Sequence, residues 1–405
     1  MSVIDSDNCF RPGPGGFKGW LGTQVLAAAP AVMSGLRRVW PIAGRGKFWL
    51  VTRYDDVLEV FSNDTMFGVP YQENLNLITG DKPFFLGMAD TPQYWAQFDA
   101  LQAAMRPEDL PHLGDEAERR AAVIVAASDG QMEVVGLVRR VAFDLLAGYF
   151  GVPEPARGRL DVWGSRLFEF QFTGSVADVA WVDEVKEIAT AFRAHIDTVI
   201  AARRVGAGGP DDVLGRCLSV GMDATELRTA ILCMIVGGPP QPPMVVPQGI
   251  EQLLRRPDWL AAAGGAARAN DDSRLHDILF EAMRFDPLAP GLKRTVLANT
   301  TIAAGTGRAT MVPAGATVMA GFASAMMDPR RVSDPTRFIP GRLPHEYVHF
   351  GHGLHECFGR YLNHATLHRI IKPLLAKTGL RRAEGRDGRL RKNGTFADQL
   401  AVQFD

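Results

Sequence analysis

The chain has 405 residues, 44 basic against 45 acidic side chains, and a hydrophobic share of 46%. Balanced charge offers no electrostatic handle to a polyanion, so nucleic acid is not an expected partner, and the apolar share suits a globular protein with a large core. Cys9, Cys217, Cys233 and Cys357 stand far apart with no CxxC pair, which gives no basis for a disulfide framework or a zinc site.

The stretch MSVIDSDNCFRPGPGGF is polar and then rich in Pro and Gly, without the basic start and apolar run of a signal peptide. No window supplies the ~18 uninterrupted apolar residues of a membrane span, so a cytoplasmic location without membrane contact is expected. KFWLVTRYDDVLEVFS, at 47–62, starts as a β-branched and aromatic strand and passes into an amphipathic helix. Residues 65–90 mix aromatics with Gly, Pro and Asn, a composition that suits a loop covering a pocket. From about 114 to 286 the apolar spacing is helical, punctuated at GVPEPARG and GAGGPDD. Residues 292–322 switch to short β-type runs, a further helix follows Cys357, and the tail reads as a hairpin. No Ser- or Gly-rich linker separates two self-sufficient patterns. The expected architecture is mostly α with small β-sheets, a single large domain over residues 1–405, with its β parts near 46–53 and 292–322.

At 350–359 the chain reads FGHGLHECFG. Glycines let a backbone turn tightly around one thiol, and a helix starting just after it favours negative charge on the sulfur. The run matches in full the FGxGxHxCxG cysteine loop of the cytochrome P450 family, which the chain resembles here. The resemblance implies haem b with its iron ligated by the Cys357 thiolate. It also implies that Gly351, Gly353 and Gly359 shape the loop, that Phe350 packs beside the sulfur and macrocycle, and that His355 reaches a propionate. Cys217 and Cys233, in apolar helical surroundings, read as small core side chains.

Upstream, FEAMRFDP sets Glu281 and Arg284 three apart on one helix face. Arg294 follows, and DPTRFIPGR at 334–342 resembles the family's PERF segment. The resemblance implies a structural lock of Glu281, Arg284 and Arg337, and a charge-assisted hydrogen bond from Arg294 to a haem propionate. With these segments in order, it covers residues 46–405.

Two departures stand out. The family's central helix carries an (A/G)GxxT-type pattern with an acid before the alcohol, groups that deliver protons to the reacting oxygen. Here the chain reads MIVGGPPQPPMVVPQGIEQLLRRPDWL at 234–260. Gly237 and Gly238 fall on the small pair, Pro240 on the acid and Gln241 on the alcohol, so both relay groups are missing. Prolines 239, 240, 242, 243 and 247 each remove a backbone donor, and one inside a helix costs ~3 kcal/mol. The helix is therefore expected to break, with Gln241 serving the freed carbonyls or ligand groups. In the second departure DTPQYWAQF, at 90–98, stands against the family's DPPEHTRLR. Asp90 and Pro92 are kept. Tyr94 replaces a propionate-clamping histidine and is expected to donate to the propionate in its place. Ala96 and Phe98 replace two arginines, which weakens the basic surface that attracts acidic ferredoxins.

The resemblance implies a P450-type oxidoreductase, of the monooxygenase class, with Cys357 as a catalytic residue, and Gln241, which both donates and accepts, is expected to act beside it. Its substrate is expected to be a small to medium, largely apolar biosynthetic or catabolic intermediate. Where dioxygen is used, electrons come from NAD(P)H through a ferredoxin and ferredoxin reductase. The pocket is expected from Phe67, Tyr71, Phe84 and Phe85, from Val236, Gly237, Gly238 and Pro240, and from Leu288, Ala289 and Leu292. The missing relay leaves open a peroxygenase, or a catalyst of rearrangement, dehydration or coupling that never cleaves dioxygen. A non-catalytic helper is a reading of another class, opposed by the retention of Cys357, His355 and Arg294.

Overall fold

The computed structural model describes residues 3–12, 16–205 and 209–405, with the backbone alone for 16–25 and 27. Residues 1–2 and 13–15 of the N-terminal stretch, and 206–208 of the GAGGPDD punctuation, lie outside the described residues. The chain divides into two compact units, each assembled from three separate stretches.

The first unit, Met1–Pro12, Tyr71–Ala121 and Gly136–Pro243, is helical. Its longest helix, Val179–Val205, buries Val182, Val185, Ile188, Ala189, Phe192, Ile196 and Ile200, the three-and-four spacing of an amphipathic helix. It packs against Leu160–Thr173, Ala224–Gly237 and Gln72–Thr79. Ala224–Gly237 differs in kind: its buried residues run without a break from Thr229 to Val236, as in a helix enclosed on all sides. Among the described residues, Ala224–Leu254 is the stretch long and apolar enough to cross a membrane, and 78% of its most apolar window is buried inside the fold, the pattern of a core segment.

The covering loop expected over 65–90 is corrected in part, because Gln72–Thr79 is a helix. Leu75, Ile78 and Thr79 turn inward, and Gly80 closes the helix at φ 70°, a left-handed conformation that glycine adopts without strain. Arg193 then donates to the Ile78 carbonyl at 2.7 Å, satisfying an end that propensity alone would leave bare.

The second unit, Gly13–Pro70, Ala122–Val135 and Met244–Asp405, holds all the sheets found among the described residues. The largest runs Ile42–Arg45, Phe48–Val51, Thr317–Ala320, Leu292–Val296, Phe67–Gly68, antiparallel except for the parallel pairing of Phe48–Val51 with Thr317–Ala320. The expected strand-to-helix passage appears as Phe48–Val51 followed by Tyr54–Ser62, and the expected tail hairpin as Arg391–Asn393 against Phe396–Gln399. The pocket role expected of Phe67 is corrected: pairing with Val296 turns its ring into the sheet's core, beside Ile42, Val51, Phe61 and Val318. The helix Gly16–Val39 was not legible behind its Pro- and Gly-rich approach.

Candidate active site

Within the second unit the helix Asp272–Phe285 starts on Asp271, whose carboxylate accepts the Arg274 N–H at 3.0 Å. Its last turns carry Glu281 and Arg284, both wholly buried. Arg284 grips the Glu281 carboxylate with two donors, at 2.7 and 2.9 Å, and donates to the carbonyls of Met326 and Pro335, each at 2.9 Å. The expected pair is therefore a buried ion pair with every charge served by hydrogen bonds, the arrangement in which such a pair can hold.

Its expected third member is corrected. The Arg337 side chain is exposed and stands 3.7 Å from Asp334. Arg337 closes the turn Asp334–Arg337, and only its backbone carbonyl enters the cluster, accepting from Arg284 at 3.2 Å and Arg342 at 3.0 Å. The second guanidinium on Glu281 is that of Arg342, at 3.1 and 3.2 Å, joined by the Ile339 N–H at 2.9 Å and the Tyr347 hydroxyl at 3.2 Å. Arg342 was within reach of sequence reasoning: it is the last residue of DPTRFIPGR.

The cysteine loop lies in the same unit. The Cys357 N–H donates to the Phe350 carbonyl at 2.9 Å, and the Arg360 N–H to the Cys357 carbonyl at 3.2 Å, which leads the chain into the helix Arg360–Leu375. Gly353 has φ +77°, and a Cβ there would come within 2.5 Å of the Phe61 carbonyl oxygen, so the loop's approach to the end of Tyr54–Ser62 requires glycine. The Phe350 ring lies 5.2 Å from that of His364 and 6.2 Å from that of Phe280.

Burial pushes the Cys357 thiol up to about 11, against a hydrogen bond from the Gly359 N–H that favours the thiolate. A sulfur so placed is a neutral thiol at pH 7 unless a metal ion takes the proton's place. The surroundings fit a haem iron. A Cβ at Gly351 would meet nothing within 4 Å, and one at Gly359 would meet only Asn363 Nδ2 and Cys357 Sγ, both at 3.9 Å, so the loop leaves open space beside a single soft donor. Arg294, buried in the strand Leu292–Val296, lies with its guanidinium 5.0 Å from the Phe61 ring centroid and donates to the Lys293 carbonyl at 3.1 Å. The His355 ring is buried, its Nε2 4.0 Å from Asp64. A guanidinium and an imidazole are donor types suited to carboxylates. Leu288, Ala289 and Leu292 are half-buried, the last two against the sheet core.

In the first unit the proline cluster breaks the central helix as expected. Ala224–Gly237 stops at Gly238, residues 238–240 are turn, and a new helix starts at Gln241. Pro242 and Pro243 occupy its first turn, where no intrahelical donor is needed. The Gln241 amide donates to the Gly237 carbonyl, one of the acceptors that the break sets free. A Cβ on Gly237 would meet nothing within 4 Å.

The segment DTPQYW proves to be a helix start. Thr91 Oγ1 accepts the Tyr94 N–H at 3.2 Å, Pro92 opens the helix Pro92–Ala104, and the Trp95 indole donates to Asp90 at 2.7 Å. Tyr94 is buried, its ring edge-on to Phe85 at 5.5 Å and stacked on Phe98 at 6.0 Å. Phe84 and Phe85 are buried with it, whereas Tyr71 is half-buried against Phe172.

A family model for cytochrome P450 matches residues 275–390, the stretch that holds both the Glu281 cluster and the cysteine loop. The erythromycin C-12 hydroxylase of Saccharopolyspora erythraea is 23% identical over 383 residues, covering 92% of this chain and 89% of that protein. The cytochrome P450 monooxygenase PikC of Streptomyces venezuelae is 24% identical over 343 residues, covering 81% and 77%. The crystal structure of CalO2 superposes with a TM-score of 0.79 at 21% identity, over 94% of this chain and 97% of that one.

The chain is similar to cytochrome P450s over most of its length and shares their fold.

By that similarity the chain is a P450-type oxidoreductase of the monooxygenase class, which sets aside the non-catalytic helper. P450s hold haem through a cysteine thiolate on iron, and Cys357 is the cysteine of that loop in this chain.

Proposed function

We propose that this P450 oxidises a small to medium, largely apolar organic molecule, a biosynthetic or catabolic intermediate, by a route that does without the usual acid and alcohol. Haem, when bound, would supply the oxidising chemistry, with Cys357 as its thiolate ligand and Arg294 and His355 of the same unit as donors to its propionates. One observation carries the reading: where the family keeps its relay, Pro240 has no proton to give, and Gln241 spends an amide hydrogen on the Gly237 carbonyl. An amide is also no acid at neutral pH. Protons therefore come from water or from a hydroxyl on the substrate, with Gln241 fixing the backbone at the break. Half-buried Tyr71 and, from the same unit, Val236–Gly238 and Pro240 are the pocket residues of this reading.

The same observation favours a second reading, in which the oxidant is peroxide or the reaction is a rearrangement, dehydration or coupling, none of which draws on that relay. Turnover separates the two. With a surrogate ferredoxin and its reductase, hydroxyl-free substrates should give product for only a small part of the NAD(P)H consumed. Product at full yield from hydrogen peroxide alone would favour the second reading, and near-complete coupling on a hydroxyl-free substrate would overturn the first.

A further inference from the structure

We propose that residues Ile4–Arg11 form a releasable strap that holds the helix Leu160–Thr173 down on Ala224–Gly237, and that its release admits bulky ligands to the Gly237 end; the second half rests on the reading under Proposed function. Both helices and the strap belong to the first unit, and the two helices pack directly on each other.

The strap is fastened along the whole helix. The Trp163 indole donates to the Ile4 carbonyl at 3.2 Å, Arg159 reaches Asp7 at 3.3 Å, Arg166 donates to the Asn8 carbonyl at 2.9 Å, and Glu169 accepts the Arg11 N–H at 2.8 Å. Before the helix, Arg157 holds Asp5 with two donors, at 2.6 and 2.9 Å. Beyond it, Arg11 pairs with Asp178 at 2.6 Å and lies 4.9 Å from the Trp181 ring centroid, which ties in the start of Val179–Val205. Gly158 has φ +84°, and any Cβ there would collide with both Trp163 and the Ile4 carbonyl.

Burial shows what the strap does. Every residue from Leu160 to Gln171 is buried, although Asp161, Ser165 and Glu169 recur every fourth position, the polar stripe of a helix made to face water. On another side the helix lies against Ala224–Gly237, a Cβ at Gly164 standing 3.4 Å from the Ile235 carbonyl oxygen and crowding the Phe143 ring at 3.1 Å. The strap covers the stripe with contacts that water would replace in kind. Polar groups taken out of water give back in desolvation much of what their pairing gains, so the hold is weak for its number of contacts. That makes it a closure that can open.

Cys9 lies inside the strap and is 8% exposed. Its modification by N-ethylmaleimide, located by peptide mass spectrometry on the haem-loaded enzyme, reports opening without reference to turnover. Stopped-flow absorbance gives the on-rates of bulky clotrimazole and of small imidazole. Arg11→Ala and the solvent-side Arg157→Ala should each raise Cys9 labelling at least tenfold and clotrimazole's on-rate several-fold, leaving imidazole's unchanged. Unchanged labelling in both variants would overturn the strap. Faster labelling with an unchanged clotrimazole rate would overturn the gating. A Soret band deaf to both azoles, with labelling accelerated, would instead overturn the functional reading and the gating with it, leaving the hold on the helix established.

Discussion

Arg342 Nε lies 3.1 Å from Glu281 Oε2, and both side chains are wholly enclosed. This second guanidinium lets one carboxylate tie the helix Asp272–Phe285 to the segment that leads into the cysteine loop. Removing it leaves a buried charge under-compensated, a loss of about 3–5 kcal/mol. Arg342→Ala should therefore yield insoluble or haem-poor protein, as should Glu281→Ala and Arg284→Ala. Arg337→Ala, which trims an exposed side chain, should stay within about 0.5 kcal/mol of the parent in denaturant melts. The reverse order of effects would return Arg337 to the cluster.

The break at residues 238–240 gives a second prediction. Gln241→Ala strands the Gly237 carbonyl, a cost of about 1–3 kcal/mol if that group stays buried. Hydrogen exchange should then rise locally around 234–244, and the native reaction should slow. Gln241→Thr should not restore a working relay, because Pro239, Pro240, Pro242 and Pro243 keep the backbone broken. Efficient coupling in Gln241→Thr would show that the missing alcohol is the whole defect.

Glu169 links pH to the first unit. Burial raises its carboxyl to about 7, against the Arg11 N–H and Arg166, which favour the anion, while Glu184 adds to the rise. A carboxyl raised in the fold stabilises it fully below the ordinary value of 4.5 and loses that contribution as pH climbs through about 7. The swing is on the order of 3 kcal/mol. Thermal melts should therefore fall from pH 5 to pH 8 by more in the parent than in Glu169→Gln. Parallel curves would show that Glu169 does not titrate in this range.

The sequence disclosed most where chemistry dictates local order. Glycines around Cys357, the i, i+3 pair of Glu281 and Arg284, and prolines that forbid a continuous helix all act within a few residues, and the structure has each in place. Long-range choices were less legible. Nothing near Arg337 says that its turn throws the side chain outward while Arg342, five residues on, reaches the carboxylate. Phe67 looks the same in a covering loop as in a strand, and only its pairing with Val296 decides. The helix Gln72–Thr79 depends on Arg193, more than a hundred residues away, to finish its C-terminal end. The strap escaped notice for the same reason, since its polar residues gain meaning only against the stripe on Leu160–Thr173.

The most direct test of the account is the absorption spectrum of the reduced, carbon-monoxide-bound protein, compared with that of Cys357→Ser. The parent should show the long-wavelength Soret band of thiolate-ligated haem, and the variant should lose it while keeping its helical content by circular dichroism, since an alcohol is a poor anionic ligand at neutral pH. An unchanged Soret band in Cys357→Ser, or a parent protein purified without haem under conditions that supply it, would contradict the assignment of Cys357 as the iron ligand.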